Sequence, residues 1–188
     1  MAQFTARLFT ADDLWAMGED ARYEIDEGVL VPMSPCGFDH GEVSVNVAAL
    51  LRGYVRRRRL GRVVGNEAGF RLSQGPDVLR APDVAFVSEQ RLAQVYRGPG
   101  FAEGAPDLAV EVVADDDRAA EVERKALQFI AAGVRSVWVL YPRTRTVSVR
   151  RADGRVLHLT GEGAVLEDDP ALPGFRCRLA ELFDGPEE

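Results

Sequence analysis

Apolar and polar positions along the 188-residue chain alternate in two registers, a period of two in short runs and a period near 3.6 in longer ones. From His40 to Leu60 the apolar residues Val43, Val47, Leu50, Leu51 and Tyr54 recur at spacings of three and four, and Gly61 follows as a stop. This predicts a long amphipathic helix. A second helical pattern covers 117–132 and is closed by Gly133, placed as a C-terminal cap glycine. It lies between two apolar runs, 107–113 and 136–141. A helix joining two such runs makes a βαβ unit, whose strands are parallel and whose crossover is right-handed.

Thr10, followed by Ala11-Asp12-Asp13, predicts a short capped helix ending near Gly18. Tyr23-Glu24-Ile25 and Val29-Leu30-Val31 flank Asp26-Glu27-Gly28 as a β-hairpin, followed by a loop over 32–37. Strands are expected at 62–64, 68–72 and 81–87, with a turn around 73–76 and Pro82 at the start of the third. Residues 88–106 read as loop, and 146–151 with 155–160 as a hairpin across Ala152-Asp153-Gly154. The tail is expected to pack a last turn of helix through Leu179, Leu182 and Phe183. The fold class is therefore α/β, or α+β with a mixed central sheet flanked by helices. A single domain over 1–188 is expected, with a core at about 20–142 and a C-terminal hairpin and tail at 143–188.

Composition narrows the function. The chain is 46% hydrophobic and 28% charged, ordinary for a globular protein with a real core. No apolar run approaches the roughly 18 residues of a membrane span. The start, MAQFTARLFTADD, lacks the apolar segment of a signal peptide, which places the protein in the cytoplasm. Two cysteines, Cys36 and Cys177, make neither a disulfide framework nor a zinc site. The net charge of -7 argues against a nonspecific DNA coat, but not against an enzyme whose acids hold a metal. A local cationic run is present at Arg52, Arg56, Arg57, Arg58, Arg59 and Arg62. It reads either as a solvated helix end or as a nucleic-acid contact.

One basic residue stands apart. Of the 23 lysines and arginines only Lys125 is a lysine, so the other 22 are arginine. An ammonium is a compact charge able to exchange a proton, whereas guanidinium stays protonated and planar. A surface pair with Glu121 at i,i+4 is the plain alternative. Two acids sit in apolar strand runs, Asp83 and Glu111. An ionised carboxylate there is costly unless paired or metal-bound. Asp107 competes as a partner for Glu111, but i and i+4 on one strand are about 13 Å apart, while neighbouring strands are about 4.8 Å apart. Asp83 beside Glu111, with the carbonyl of Val112 and waters, suits Mg²⁺. With Lys125 added, the set suits metal-assisted hydrolysis of a phosphodiester.

The order of these residues resembles the PD-(D/E)XK nucleases, with Val113 at the usual lysine position and Lys125 displaced to the next helix. The whole chain, from about residue 8 to 184, resembles the Uma2 family (DUF820) of restriction endonuclease-like proteins. The resemblance is carried by Tyr23-Glu24-Ile25-Asp26-Glu27-Gly28, Met33-Ser34-Pro35 with His40, Arg80-Ala81-Pro82-Asp83-Val84, Pro106 to Val112, Lys125, Ala132-Gly133-Val134, Trp138-Val139 and Leu172-Pro173-Gly174-Phe175. It implies a restriction-endonuclease-like core and a Mg²⁺ (or Mn²⁺) site at Asp83 and Glu111, with Lys125 assisting. It implies Glu24 as an accessory acid and His40 as a phosphate contact. The sequence departs from the family at Phe129, at Ala114-Asp115-Asp116 and at Tyr141-Pro142, none of them a metal ligand.

The leading expectation is a Mg²⁺-dependent endodeoxyribonuclease. DNA is its partner, Arg52, Arg56 and Arg59 touch the backbone, and family and duplex symmetry imply a homodimer or higher homo-oligomer. A noncatalytic nuclease-fold binding or assembly module is the rival. A hydrolase of a small phosphorylated metabolite would need an enclosed pocket instead of a groove.

Overall fold

The computed structural model describes residues 7–18, 20–161 and 163–185. Residues 1–6, part of the stretch read for a leader, and 186–188, the end of the tail, lie outside it. In chain order the elements are α1 (Ala11–Ala16), β1 (Tyr23–Asp26), β2 (Val29–Pro32), α2 (Phe38–Arg58), β3 (Gly61–Gly65), β4 (Phe70–Ser73), β5 (Val78–Arg80) and β6 (Val84–Ser88). There follow α3 (Glu89–Val95), β7 (Ala102–Glu103), β8 (Leu108–Val112), α4 (Ala119–Ala131) and β9 (Ser136–Tyr141). Then come β10 (Thr146–Arg151), β11 (Val156–Leu159), β12 (Val165–Glu167), β13 (Arg176–Arg178) and α5 (Leu179–Asp184).

The strands divide between two principal sheets. A six-stranded sheet has the order β11-β10-β9-β8-β6-β3 and a five-stranded sheet the order β2-β1-β5-β4-β7. β8 and β9 run parallel with α4 as their crossover, as the apolar runs predict, and their neighbours in the six-stranded sheet pair antiparallel. The period of two on β8 decides what each face does. Leu108, Val110 and Val112 pack with Val43, Val47, Leu51 and Tyr54 of α2. Ala109 and Val113 turn the other way, toward Ala126 and Phe129 of α4. Glu111 shares that second face. The tail closes the α2 side: Leu172, Phe175, Leu179, Leu182 and Phe183 join the same core. Asp169 pins it, accepting from Ser136 Oγ at 2.6 Å, Trp138 Nε1 at 2.8 Å and Ala171 N at 2.8 Å.

Several expectations shift. The strand expected over 81–87 is β6 and begins only at Val84, and β5 before it was not expected. The chain pairs as β5 in one sheet, leaves it at Ala81-Pro82-Asp83, and pairs again as β6 in the other. Pro82 has no N–H for a ladder, so the break falls there, and Asp83 precedes the strand it was expected to lie on. Residues 88–106 hold a helix, α3, capped by Ser88 Oγ on Arg91 N. α2 stops at Arg59, which takes the left-handed conformation (φ 54°), two residues before the glycine expected to end it. Gly61 is needed for another reason: its φ is +150°, and a Cβ there would come within 2.1 Å of the Val87 carbonyl oxygen. The β12-β13 pair was not foreseen, because each strand is only three residues long and too short for a period to stand out.

Candidate active site

The passage between the two sheets positions the first acid. Asp83 Oδ2 accepts from Val112 N at 2.7 Å, and His40 Nε2 stands 3.3 Å from the same oxygen. β6 and β8 pair with Val84 opposite Val110, so continuing the register sets Asp83 beside Glu111. His40 comes from the first turn of α2, where its ring also approaches Ser44 Oγ at 3.5 Å. Hydrogen bonding to Asp83 holds the imidazole pKa above its ordinary value, against the effect of burial, with the charge of Asp83 and the Val112 carbonyl adding to the rise.

Glu111 is the most strained acid of the group electrostatically. Burial, with Asp83 and Glu24 nearby, pushes its carboxyl up to about 8, while Lys125 pulls it down. Its Oε1 is buried without a hydrogen-bond partner, and its Oε2 lies 3.9 Å from Lys125 Nζ. Lys125 turns inward from α4 and its ammonium reaches Glu24 Oε2 at 3.1 Å. Burial acts to lower its pKa, but Glu111 and Glu24 together outweigh burial and raise it.

Glu24 is fixed in turn from β5. Its Oε1 accepts from Ala81 N at 3.0 Å and its Oε2 from Arg80 Nη1 at 2.8 Å. Arg80 is fully buried and also pairs with Asp26 at 2.9 Å, while Nε and Nη2 donate to Gln128 Oε1 at 3.0 and 2.7 Å. Gln128 returns a bond from Nε2 to Asp26 Oδ1 at 2.7 Å, and Arg124 pairs with the other Asp26 oxygen. Arg80, Asp26 and Gln128 were not singled out as site residues. The one signal was Arg80 standing directly before Ala81-Pro82-Asp83; the partners come from 48 to 56 residues away.

The structure thus brings Asp83, Glu111, Lys125, Glu24 and His40 together. It does not bring Arg52, Arg56 and Arg59 to them. At about 1.5 Å per helical residue, Arg52 lies roughly 18 Å and Arg59 roughly 28 Å along α2 from His40. They line a separate depression of about 670 Å³ with Arg62 and Glu89, at the end of β6 opposite Asp83. Asp107, the competing partner of Glu111, is engaged elsewhere: it accepts from Ser88 N at 2.7 Å and pairs with Arg91 and Arg135. Cys36 is exposed and Cys177 buried, and both are free.

The donor set can be weighed against a hard divalent cation. Among the described residues no group of three or more His, Cys, Asp or Glu side chains is placed to hold a metal ion by itself. Two neighbouring carboxylates, one with an orphan buried oxygen, leave the remaining positions to a main-chain carbonyl and water, the pattern Mg²⁺ accepts. The residues present fit such an ion.

The model of the Uma2 family, described as "Putative restriction endonuclease", matches residues 9–180. The fold is similar to a crystal structure described as a "putative nuclease belonging to DUF820 from Anabaena variabilis ATCC 29413", with a TM-score of 0.79 and 17% identity over 94% of this chain and 98% of that one. No curated protein matches the chain. Among the described residues no helix is long and apolar enough to cross a membrane.

Proposed function

Because the chain belongs to the Uma2 family, we propose that it is a divalent-metal-dependent endonuclease that hydrolyses DNA phosphodiester bonds. The carboxylates of Asp83 and Glu111 and the carbonyl of Val112 would hold Mg²⁺ or Mn²⁺. A bound ion of this kind polarises a phosphoryl oxygen and acidifies a water bound to it. The single observation that supports the reading best is the buried Glu111 carboxyl, in register beside Asp83, whose Oε1 has no partner while its Oε2 lies 3.9 Å from the chain's only lysine.

The other roles belong to the chain's own groups. Lys125, held protonated by Glu24 and Glu111, supplies positive charge where the phosphoryl oxygens gain negative charge, and its N–H bonds orient the attacking water. Glu24 does not face the substrate alone; it anchors the ammonium and is itself clamped by Arg80 and the Ala81 N–H. His40 keeps Asp83 turned toward Val112. Arg52, Arg56 and Arg59 would touch the backbone away from the scissile phosphate.

The reading is tested by nicking of supercoiled plasmid in Mg²⁺ or Mn²⁺, with wild type and Lys125→Ala side by side. Removing a group that stabilises developing charge costs on the order of 10²–10³ in rate, so Lys125→Ala should lose nicking by about that factor. DNA retention without cleavage in either metal, unchanged by Glu111→Ala, would instead identify a noncatalytic module.

A further inference from the structure

A second feature adjoins the acidic cluster. An open cavity of about 660 Å³ is bounded by α1, the start of β1 and the end of β5. This is within the size range of small-ligand sites. Its walls are aromatic: Trp15, Tyr23 and Phe101, with Leu14, Met33 and Leu79 behind them. Glu24 and Ala81 line the same cavity. These are the residues that clamp Lys125 and lead into Asp83, so the cavity begins where the cluster ends.

Two details show that this wall is built and not merely left bare. Trp15 is 56% exposed although it meets Phe101 edge-on, with ring centroids 5.3 Å apart, so a face of the indole stays open. Phe101 is seated against Gly69, where a Cβ would come within 2.6 Å of its ring. At the mouth, Arg22 and Glu67 form a loose pair at 3.5 Å, an ion pair exposed enough to exchange for a ligand. The combination is a flat π-face, a cation, and a donor and acceptor at the rim. It matches a nucleobase still joined to its phosphate, since every base offers a face for stacking and an edge for hydrogen bonds.

We propose that this cavity receives an unstacked base of the substrate strand, one that neighbours the phosphate at the acidic cluster. The substrate class is then single-stranded DNA or duplex opened locally, not intact duplex. Extruding a paired base costs a few kcal/mol, least where the strand is already single or mismatched. The inference rests on the endonuclease reading for its choice of ligand.

The experiment reads binding, not cleavage. Wild-type protein in EDTA is titrated with a single-stranded oligonucleotide, with the same sequence as blunt duplex, with an abasic strand of equal length, and with a mononucleotide. Tryptophan emission is followed in the wild type, and the fluorescence anisotropy of an end-labelled strand gives the affinity of the wild type and of every variant. Trp138 is fully buried, so a contact quench reports Trp15. The base-bearing single strand should quench and the abasic strand should not. Trp15→Ala should weaken single-strand binding about tenfold or more while Trp15→Phe keeps most of it. A mononucleotide that binds as tightly as the strand overturns the strand reading in favour of a free nucleotide. Equal binding of abasic and base-bearing strands, or of Trp15→Ala and wild type, overturns the pocket altogether. Arg22→Ala, which removes an exposed side chain, serves as a second variant and should weaken the base-bearing strand selectively. Plasmid nicking is scored separately. Nicking without Trp15 quenching sinks the pocket alone, and quenching without nicking sinks the endonuclease alone.

Discussion

At the scale of single residues, the centre of the molecule is a carboxyl that holds a proton it would lose in water. Glu111 titrates at about 8 against an ordinary 4.5, chiefly because it is buried. The sign of the linkage follows. The folded chain binds this proton where the unfolded chain has released it, so the stabilising contribution is complete below about 4.5 and is lost as pH rises through about 8. His40, also raised, gives a loss of the same sign above its usual range. Metal-free protein should therefore melt at progressively lower temperature from pH 5 to pH 8, with a loss of at most about 1.4 kcal/mol per pH step for one proton. Glu111→Gln, which keeps the shape and removes the titration, should flatten the profile, and saturating Mg²⁺ should flatten it in the wild type. Thermal denaturation in EDTA and in Mg²⁺ checks this. A wild-type slope equal to that of Glu111→Gln would show that some other group carries it. Asp83, Glu111 and Lys125 were legible from the chain alone because each breaks a local pattern: acids in apolar runs, one ammonium among guanidiniums. Trp15 was not, because an aromatic on a short helix signals nothing until Phe101 and Tyr23 are brought beside it.

At the scale of elements, β8, α4 and β9 were legible, since their periods differ sharply and the loops between them are short. β5 was not expected, and β6 was expected from Ala81, three residues early. A three-residue strand shows no period, and a switch between sheets is a matter of which strands arrive as partners, which no local pattern encodes. That switch is nonetheless what builds the site. It sends Arg80 into one sheet's interface with α4 and delivers Asp83 to the other sheet three residues later. Arg80 is then the tie between β5, β1 and α4, with no exposed surface and partners on β1 and α4. Arg80→Ala leaves Glu24 and Asp26 buried with Arg80's compensating charge removed, which should cost about 3–5 kcal/mol. Arg80→Lys should recover little, because one ammonium cannot replace a fork that donates in several directions. Chemical denaturation measures both. A loss below about 1 kcal/mol for Arg80→Ala, typical of an exposed pair, would mean that α4 is held by Phe129 and Ala126 packing alone.

At the scale of the whole molecule, charge is distributed unevenly. The chain carries a net -7, yet its densest cationic run sits at the far end of α2 from the acidic cluster. On the endonuclease reading, a strand engaged at both places would extend roughly 18–28 Å along α2, and that one element would set the distance between the scissile phosphate and the electrostatic anchor. The two ends then contribute differently. The acidic end is locally repulsive to a polyanion until a cation is bound, and the arginine end attracts it regardless. Replacing Arg52, Arg56 and Arg59 together by alanine should weaken DNA retention at low salt. It should also make the plot of log affinity against log salt concentration shallower, by about 0.7–0.9 for each phosphate that is no longer neutralised. Because these side chains lie far from Asp83 and Glu111, the loss should appear in affinity and be recovered at saturating DNA. If the salt slope is unchanged in the triple variant, the run is a solvated helix end and nothing more. The polyanion would then have to be held by Lys125, Arg22 and the metal-filled cluster, which would confine the footprint to a few nucleotides around the Trp15 cavity.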